Sequence, residues 1–182
     1  MTPGGIMVFK SSDEFVAGAA SLIAAKIREI LKNKSSCSIS LAGGNTPGPV
    51  YRALADETVC GTLPLEKIEL YFGDERFVLK EDKDSNYFMA KSFFGDALDR
   101  FSAVHTMDTE GFDEVESLKK YDSLLEVPID IMILGLGEDA HVASIFPGSI
   151  LFEQNDFKKA AVIEGPKPPP KRMTITPIVI SN

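Results

Sequence analysis

The stretch DIMILGLGEDAHVASIFPG, residues 130–148, decides how the rest of the chain is interpreted. It begins with the apolar run Ile131–Leu134, which is typical of a buried strand, and then breaks at Gly135 and Gly137. We expect the strand to open into a glycine turn and then a short helix, an arrangement that is common at active sites. The turn contains His141, and histidine is the side chain that ordinarily titrates near neutral pH. We therefore predict that this turn holds a general base and that two earlier strand ends supply its partners.

The composition of the chain restricts the kinds of molecule that the protein can bind. The chain has 182 residues and an ordinary content of 44% hydrophobic residues, so we predict one domain over residues 1–182. Its net charge of −8 argues against a nucleic-acid partner, because a phosphate backbone requires a basic surface. A small phosphorylated substrate stays compatible, because a few cations and main-chain N–H groups can hold one phosphate.

The sequence also indicates where the protein is located and what its cysteines do. No apolar run is long enough to cross a bilayer, and the N-terminus MTPGGIMVFK lacks the features of a signal peptide, so no membrane partner is expected. Cys37 and Cys60 are too few for a disulfide framework and lack metal-ligand spacing. We expect a protein of the reducing cytoplasm, and the sequence leaves a monomer and a homodimer equally open.

Hydrophobic spacing predicts alternating strands and helices along the chain. Helices are expected over 12–32, from Pro47 with Thr46 as N-cap, after an N-cap at Ser85, and over 112–125. Loops are expected at 61–66 and 165–170, and strands at 7–9, 37–42, 68–72, 101–107, 129–134, 160–163 and 173–176. This alternation predicts an α/β fold with a mainly parallel sheet flanked by helices, a Rossmann-like three-layer arrangement.

Two earlier loops resemble the opening stretch, because each follows a predicted strand and begins with glycine. The first, Gly43–Pro47, is either an anion cradle at a helix N-terminus or a tight turn that binds nothing. The second, Gly73–Arg76, places charges at the end of a buried strand, where Asp74 and Arg76 either carry a function or form a salt bridge. All three loops should lie at one edge of a parallel sheet. His105, inside a predicted strand, is expected to be structural.

Five segments together carry a family resemblance: AGGNTPGPVYRALA (42–55), YFGDERFV (71–78), DSNY (84–87), DIMILGLGEDAHVASIFPGS (130–149) and KPPPKRMTIT (167–176). In this order and spacing they resemble the 6-phosphogluconolactonases, within the wider group that includes glucosamine-6-phosphate isomerase/deaminases. The resemblance covers nearly the whole chain, and it implies a sugar-phosphate-binding α/β domain. The implied reaction is hydrolysis of 6-phosphoglucono-1,5-lactone to 6-phosphogluconate in the pentose phosphate pathway, with no metal or organic cofactor.

The resemblance also implies roles for individual residues. His141 matches the histidine that activates water, and Arg172 matches a late arginine that binds substrate. Asp74 and Arg76 match the acidic and basic pair of the second loop. The loop near the substrate phosphate corresponds to Gly43, Gly44, Asn45 and Thr46. Either Asp139 or Asp74 could orient the imidazole, and sequence does not choose between them.

The chain departs from the family pattern in three places. Ala140 stands where the family usually has glycine, and Val142 stands where it usually has threonine. If position 140 requires a positive φ, alanine there costs energy and displaces His141. Family members also continue well past residue 182, so the chain is either a fragment or naturally short. In both cases we expect the C-terminal part of the fold to be missing and a sheet edge or core surface to be exposed.

Three alternatives stay open. Residues 135–140 fit the dinucleotide pattern G-x-G-x-x-A, although that pattern normally opens a fold's first βαβ unit. A sugar-phosphate isomerase or deaminase would carry glutamate where this chain has Phe146 and would favour tyrosine where it has Arg76. A sugar-phosphate sensor without catalysis, or an inactive remnant, fits Ala140, Val142 and the short C-terminus. A serine hydrolase lacks its nucleophile elbow, and two distant histidines disfavour a metal site.

Overall fold

A computed structural model describes residues 5–111, 113–125, 128–153 and 158–182. Within these ranges the strands, in chain order β1 to β7, are Cys37–Leu41, Ile68–Phe72, Asp74–Arg76, Ala103–His105, Ile131–Met132, Ala160–Glu164 and Lys171–Ile175. The α-helices, in chain order α1 to α6, are Ser12–Ile30, Pro47–Ala55, Glu57–Cys60, Asn86–Phe94, Glu114–Leu124 and Pro177–Ser181. No helix of the described ranges combines the length and the apolar character that a membrane span requires.

The central sheet is parallel and has the strand order β4-β2-β1-β5. Ile39 of β1 lies opposite Leu70 of β2 on one side and Ile131 of β5 on the other. β1 and β2 are almost fully buried because α1, α2 and α4 cover one face of the sheet. The other face packs against α5 and a second sheet through a cluster that includes Tyr71, Tyr121 and Met173. The predicted three-layer α/β fold is confirmed.

The second sheet is antiparallel and has the order β3-β7-β6. Its strands β6 and β7 correspond to those predicted at 160–163 and 173–176, but β3 and the antiparallel pairing were not predicted. Glu75 of β3 lies opposite Met173 of β7. Gly73, the single residue between β2 and β3, joins the two sheets: its N–H donates to the Leu41 carbonyl at 2.9 Å, and its carbonyl accepts from Ile175 N–H at 2.9 Å. The two sheets therefore meet at the edge where β1 and β2 end.

Two buried tyrosines fix that edge. The Tyr51 hydroxyl donates to the Ala42 carbonyl and accepts from the Ala42 N–H, both at 2.8 Å. The Tyr121 hydroxyl makes the same pair of hydrogen bonds with Phe72, at 2.7 and 2.9 Å. Each hydroxyl satisfies both main-chain groups of a residue at or just after a strand end, so the loops that follow start from fixed positions.

Several sequence expectations were wrong in detail. Residues 7–9 form no strand: Met7 is 58% exposed and Val8 is 88% exposed, and neither lies in a strand of the described chain. The strand expected over 129–134 is reduced to the two residues of β5, and turns rather than a helix follow it. The loop expected at 61–66 ends in a 3₁₀ turn at Leu65–Lys67. The helix expected over 112–125 begins at Glu114, and its predicted first residue, Phe112, lies outside the described residues.

Other expectations were confirmed. β2 has the predicted bounds, β1 stops one residue short of them, and α1 stops at Ile30. Ser85 caps α4, with its hydroxyl accepting from the Phe88 N–H at 3.1 Å. The N-cap expected at Thr46 was wrong: its own backbone is already helical, with φ −70° and ψ −44°, and its side chain makes no capping hydrogen bond.

Candidate active site

The three glycine loops line one cavity of about 400 Å³. β1, β2 and β5 run parallel, so the loops after Leu41, Phe72 and Met132 leave the same edge of the sheet, as the sequence predicted. The predicted site residues that line the cavity are Gly43, Gly44, Asn45, Thr46, Asp74, Arg76, His141 and Arg172. Asp139, the other predicted site residue, contacts His141.

His141 lies on a tight hairpin. Leu136 and Val142 form a β-bridge, Gly137 N–H donates to the His141 carbonyl at 2.9 Å, and Ala140 N–H donates to the Gly137 carbonyl at 2.8 Å. A three-residue hairpin loop of this kind ends in a residue with left-handed backbone, and Ala140 has φ +64°. Position 140 therefore does require a positive φ, and alanine occupies a position that favours glycine.

A second tight turn follows at once. Val142 and Ile145 exchange main-chain hydrogen bonds, and Ala143, the first residue between them, has φ +52°. A two-residue turn with positive φ at its first central position favours glycine there as well. The segment that carries His141 is thus held between two alanines with left-handed backbone, which is strain concentrated at a candidate active site.

The imidazole pairs with Asp139. His141 Nδ1 lies 2.5 Å from Asp139 Oδ1, and this hydrogen bond, helped by Lys167, lowers the pKa of the Asp139 carboxyl to about 2. An ionised Asp139 accepts the Nδ1 proton and leaves Nε2 as the basic nitrogen. Gly137 packs directly against the pair, since a Cβ on it would lie 2.1 Å from His141 Nδ1. The structure thus places Asp139, and not Asp74, next to the imidazole.

Asp74 is buried in a different network. Its Oδ1 accepts from Asn86 Nδ2 at 2.9 Å, and its Oδ2 accepts from the Ser144 hydroxyl at 2.6 Å. Arg172 Nη1 is 3.8 Å from Asp74 Oδ2. The Asp74–Arg76 salt bridge that the sequence left open is not formed, and Asp74 faces Arg172 instead. Asp74 therefore balances a buried guanidinium and ties the His141 segment to the second sheet through Ser144.

The two arginines are held by main-chain carbonyls. Arg76 Nη1 donates to the Asp84 carbonyl at 2.6 Å, while its Nε is buried with no acceptor among the described residues. Arg172 donates from Nε to Pro169 and from Nη2 to Lys167. Burial, and then the nearby charge of Arg76, lowers the pKa of the Arg172 guanidinium. The cavity lining thus contains two guanidiniums and one carboxylate, so it carries unbalanced positive charge that suits an anion.

Asn86 restricts the shape of the loop Gly43–Pro47. The helix after this loop offers fewer N–H donors than the sequence pattern suggested. A Cβ on Gly43 would lie 2.0 Å from Asn86 Oδ1, so only glycine fits beside that amide. Gly44 has φ +91°. Because Pro47 and Pro49 are both in the first turn of α2 and have no N–H, the helix N-terminus itself contributes little. An anion would therefore depend on the loop's own N–H groups and on the arginines.

Glu75, between Asp74 and Arg76, serves the architecture of the second loop. Its carboxylate accepts from Arg76 N–H, Asn86 N–H, Tyr87 N–H and the Ser85 hydroxyl at 2.7–3.0 Å. Burial raises the pKa of Glu75, and these four hydrogen bonds act to lower it. The carboxylate therefore docks the N-terminus of α4 onto β3.

Some residues of the site were missed from the sequence. Ser144, Lys167 and Phe146 each contact a predicted site residue, but only the folded hairpin and the second sheet bring them there. Asn86 stood inside a quoted segment without a role, and no spacing rule links it to Gly43. His105 behaves as predicted for a structural residue: it stacks on Tyr71 and lies 3.2 Å from Glu69, and it is not part of the cavity lining.

Comparison with known proteins identifies the family of the chain. A model of the family described as glucosamine-6-phosphate isomerases/6-phosphogluconolactonase matches residues 10–182. A 6-phosphogluconolactonase of Nostoc is 31% identical over 162 residues, which cover 83% of this chain and 66% of that relative. One of Synechocystis is 35% identical over 136 residues, which cover 69% and 55%. The chain thus spans less than two thirds of the length of either relative.

A solved structure shows the same fold. The 6-phosphogluconolactonase of Trypanosoma brucei superimposes with a TM-score of 0.81 at 29% identity, over 96% of this chain and 76% of that one. The family model matches most of the chain, and the structural likeness supports the same family. The chain belongs to the family of glucosamine-6-phosphate isomerases and 6-phosphogluconolactonases.

Proposed function

We propose that the protein hydrolyses 6-phosphoglucono-1,5-lactone to 6-phosphogluconate, as a cytoplasmic enzyme of the pentose phosphate pathway. The observation that carries the proposal is the His141–Asp139 pair beside a cavity that also contains Arg76 and Arg172. A general base, an unbalanced positive charge and a glycine loop are what water attack on a phosphorylated lactone requires.

The proposed chemistry uses the imidazole twice. His141 Nε2 removes a proton from water while the water oxygen attacks the lactone carbonyl carbon, and Asp139 stabilises the imidazolium that forms. The carbonyl oxygen becomes an oxyanion, which Arg76 or Arg172 stabilises. When the carbonyl carbon–ring oxygen bond breaks, the imidazolium returns its proton to the ring oxygen. The product carboxylic acid then ionises, and the enzyme is restored.

The phosphate of the substrate is assigned to the glycine loop. Gly43 and Gly44 let an anion approach the main chain closely, and Asn45 and Thr46 add polar groups at the cavity wall. Arg76 also lines this cavity, and its Nε has no acceptor among the described residues. Both features support capture of a phosphorylated sugar in preference to a neutral one.

Phe146 separates this proposal from the isomerase alternative. Its ring centroid is 4.8 Å from that of His141, so an aromatic side chain occupies the position where the isomerases are expected to carry a glutamate. Sugar-phosphate isomerisation moves protons between carbon and oxygen and needs further acid–base groups, whereas lactone hydrolysis needs one base that returns its proton.

The test compares two substrates. Acid release, followed as the base consumed at constant pH, should show hydrolysis of the phosphorylated lactone far above its spontaneous rate, and a much smaller kcat/KM for unphosphorylated glucono-1,5-lactone. Equal rates for both would contradict the assignment of the phosphate loop. Binding of 6-phosphogluconate without any acceleration would contradict the catalytic proposal and favour the sensor alternative.

A further inference from the structure

Lys167 touches the Asp139–His141 pair from outside the hairpin. Its Nζ is 3.2 Å from Asp139 Oδ1, the same oxygen that lies 2.5 Å from His141 Nδ1. One carboxylate oxygen therefore serves two cationic or potentially cationic groups. Neither the spacing of the sequence nor the family resemblance gave Lys167 a role.

The segment that carries Lys167, residues 165–170, is fixed at several points. The buried Arg172 side chain donates to the carbonyls of Lys167 and Pro169, at 3.1 and 3.0 Å. Gly165 N–H donates to the Pro170 carbonyl at 2.7 Å and closes the loop. Gly165 also packs on the ring of Phe146, where a Cβ would lie 2.5 Å from the ring edge. The lysine thus projects from a backbone that is anchored to the site itself.

Phe146 completes the enclosure. Its ring lies against the imidazole of His141, and the Arg172 guanidinium is 5.8 Å from its centroid. The hairpin, the 165–170 segment and β7 therefore converge on one imidazole. The ammonium group of Lys167 therefore acts on an imidazole that the Phe146 ring already packs against.

We infer that Lys167 is a positioning residue for the general base: it holds the Asp139 carboxylate through the same oxygen that faces His141, and its charge opposes protonation of the imidazole. The inference rests on the proposed function for its consequence in catalysis, but the contact itself does not. A lone Asp139 would stabilise the protonated imidazole, so less of the imidazole would be free to accept a proton from water at mildly acidic pH. Lys167 offsets part of that effect while keeping the carboxylate in place.

Other charged side chains near the Asp139–His141 pair must be considered when His141 is titrated. Glu138 is exposed and precedes Asp139 in the turn. The remaining charged side chains of the cavity are Arg172 on β7 and Asp74 and Arg76 on β3. Asp74 and Arg172 face each other at 3.8 Å, so their charges largely offset one another. Lys167 is therefore the charge whose removal changes the surroundings of the Asp139–His141 pair most directly.

The experiment titrates the two imidazoles by NMR in the wild type, Lys167→Met, Lys167→Arg and Lys171→Met. Lys171 is a matched control, because it has similar exposure and lies in the same part of the chain but pairs with Glu114. Two unit charges about 6 Å apart in water-like surroundings change a titration midpoint by about half a pH unit. His105, paired with Glu69, is the internal reference.

We expect the titration midpoint of His141 to rise by about half a pH unit in Lys167→Met, while that of His105 stays unchanged. Lys167→Arg, which keeps the charge, and Lys171→Met should leave the His141 midpoint unchanged. The acid limb of kcat/KM against pH should move by the same amount. An unchanged His141 midpoint, or an equal rise in Lys171→Met, would overturn the inference. Because the NMR titration needs no substrate, it decides the role of Lys167 even if the wild type fails to hydrolyse the lactone, which would refute the proposed function alone.

Discussion

Replacing Ala140 by glycine should stabilise the protein, whereas the same replacement inside a helix, at Ala17, should destabilise it. Ala140 has φ +64°, a left-handed conformation that costs a residue with a Cβ about 1–2 kcal/mol. Glycine removes that cost but makes the unfolded chain more flexible, which offsets about 0.5–1 kcal/mol. The net expectation is an increase of about 0.5–1 kcal/mol in the free energy of unfolding.

Ala17 supplies the matched control, because it is exposed in the middle of α1. Ala17→Gly should lower the free energy of unfolding by about 1 kcal/mol, the helix-interior cost of glycine. Urea denaturation with equal m-values for all three proteins measures both changes. A loss of stability in Ala140→Gly as large as that in Ala17→Gly would refute the account of a strained turn at His141.

Three other predictions address the site and its support. Gly137→Ala should lower kcat by about 100-fold or more, because the added Cβ would lie 2.1 Å from the imidazole Nδ1, whereas Gly135→Ala, whose Cβ meets nothing within 4 Å, should retain activity. Glu75→Gln should lower the free energy of unfolding by about 2–4 kcal/mol, because its amide group would face two donors, and Glu81→Gln, at an exposed position, should leave it unchanged in the same urea titration. Since the pKa of Asp139 is lowered to about 2, its carboxylate stays ionised down to pH 4, so log kcat/KM should fall with a slope of one as the base is protonated; a slope of two there would contradict the pairing.

The parallel sheet could be predicted because its strands are buried on both faces and therefore read as continuous apolar runs. The bounds of β2 and the cap at Ser85 follow from such local signals. The convergence of three glycine loops also followed, since it depends only on strand direction. The residues at 7–9 show the limit of this reasoning: an apolar run forms a strand only if a partner edge is available to it.

The strands β6 and β7 of the second sheet were predicted, but β3 was not, because it has only three residues and two of them are acidic or basic functional candidates. Its pairing with β7 depends on contacts about a hundred residues apart along the chain, which no local pattern encodes. The same is true of the choice between Asp139 and Asp74. Both carboxylates were equally plausible partners for His141 until Ser144 and Asn86 were seen to occupy Asp74.

The most direct test of the central claim compares His141→Asn with His105→Asn in hydrolysis of 6-phosphoglucono-1,5-lactone, after subtraction of the spontaneous rate. His105 is a matched control, since it is the other histidine of the chain and lies outside the cavity lining. Loss of a general base should reduce kcat by about 100-fold to 10,000-fold in His141→Asn. His105→Asn should retain most of the wild-type kcat. Wild-type activity in His141→Asn, with both variants folded, would contradict the assignment of His141 as the residue that activates water.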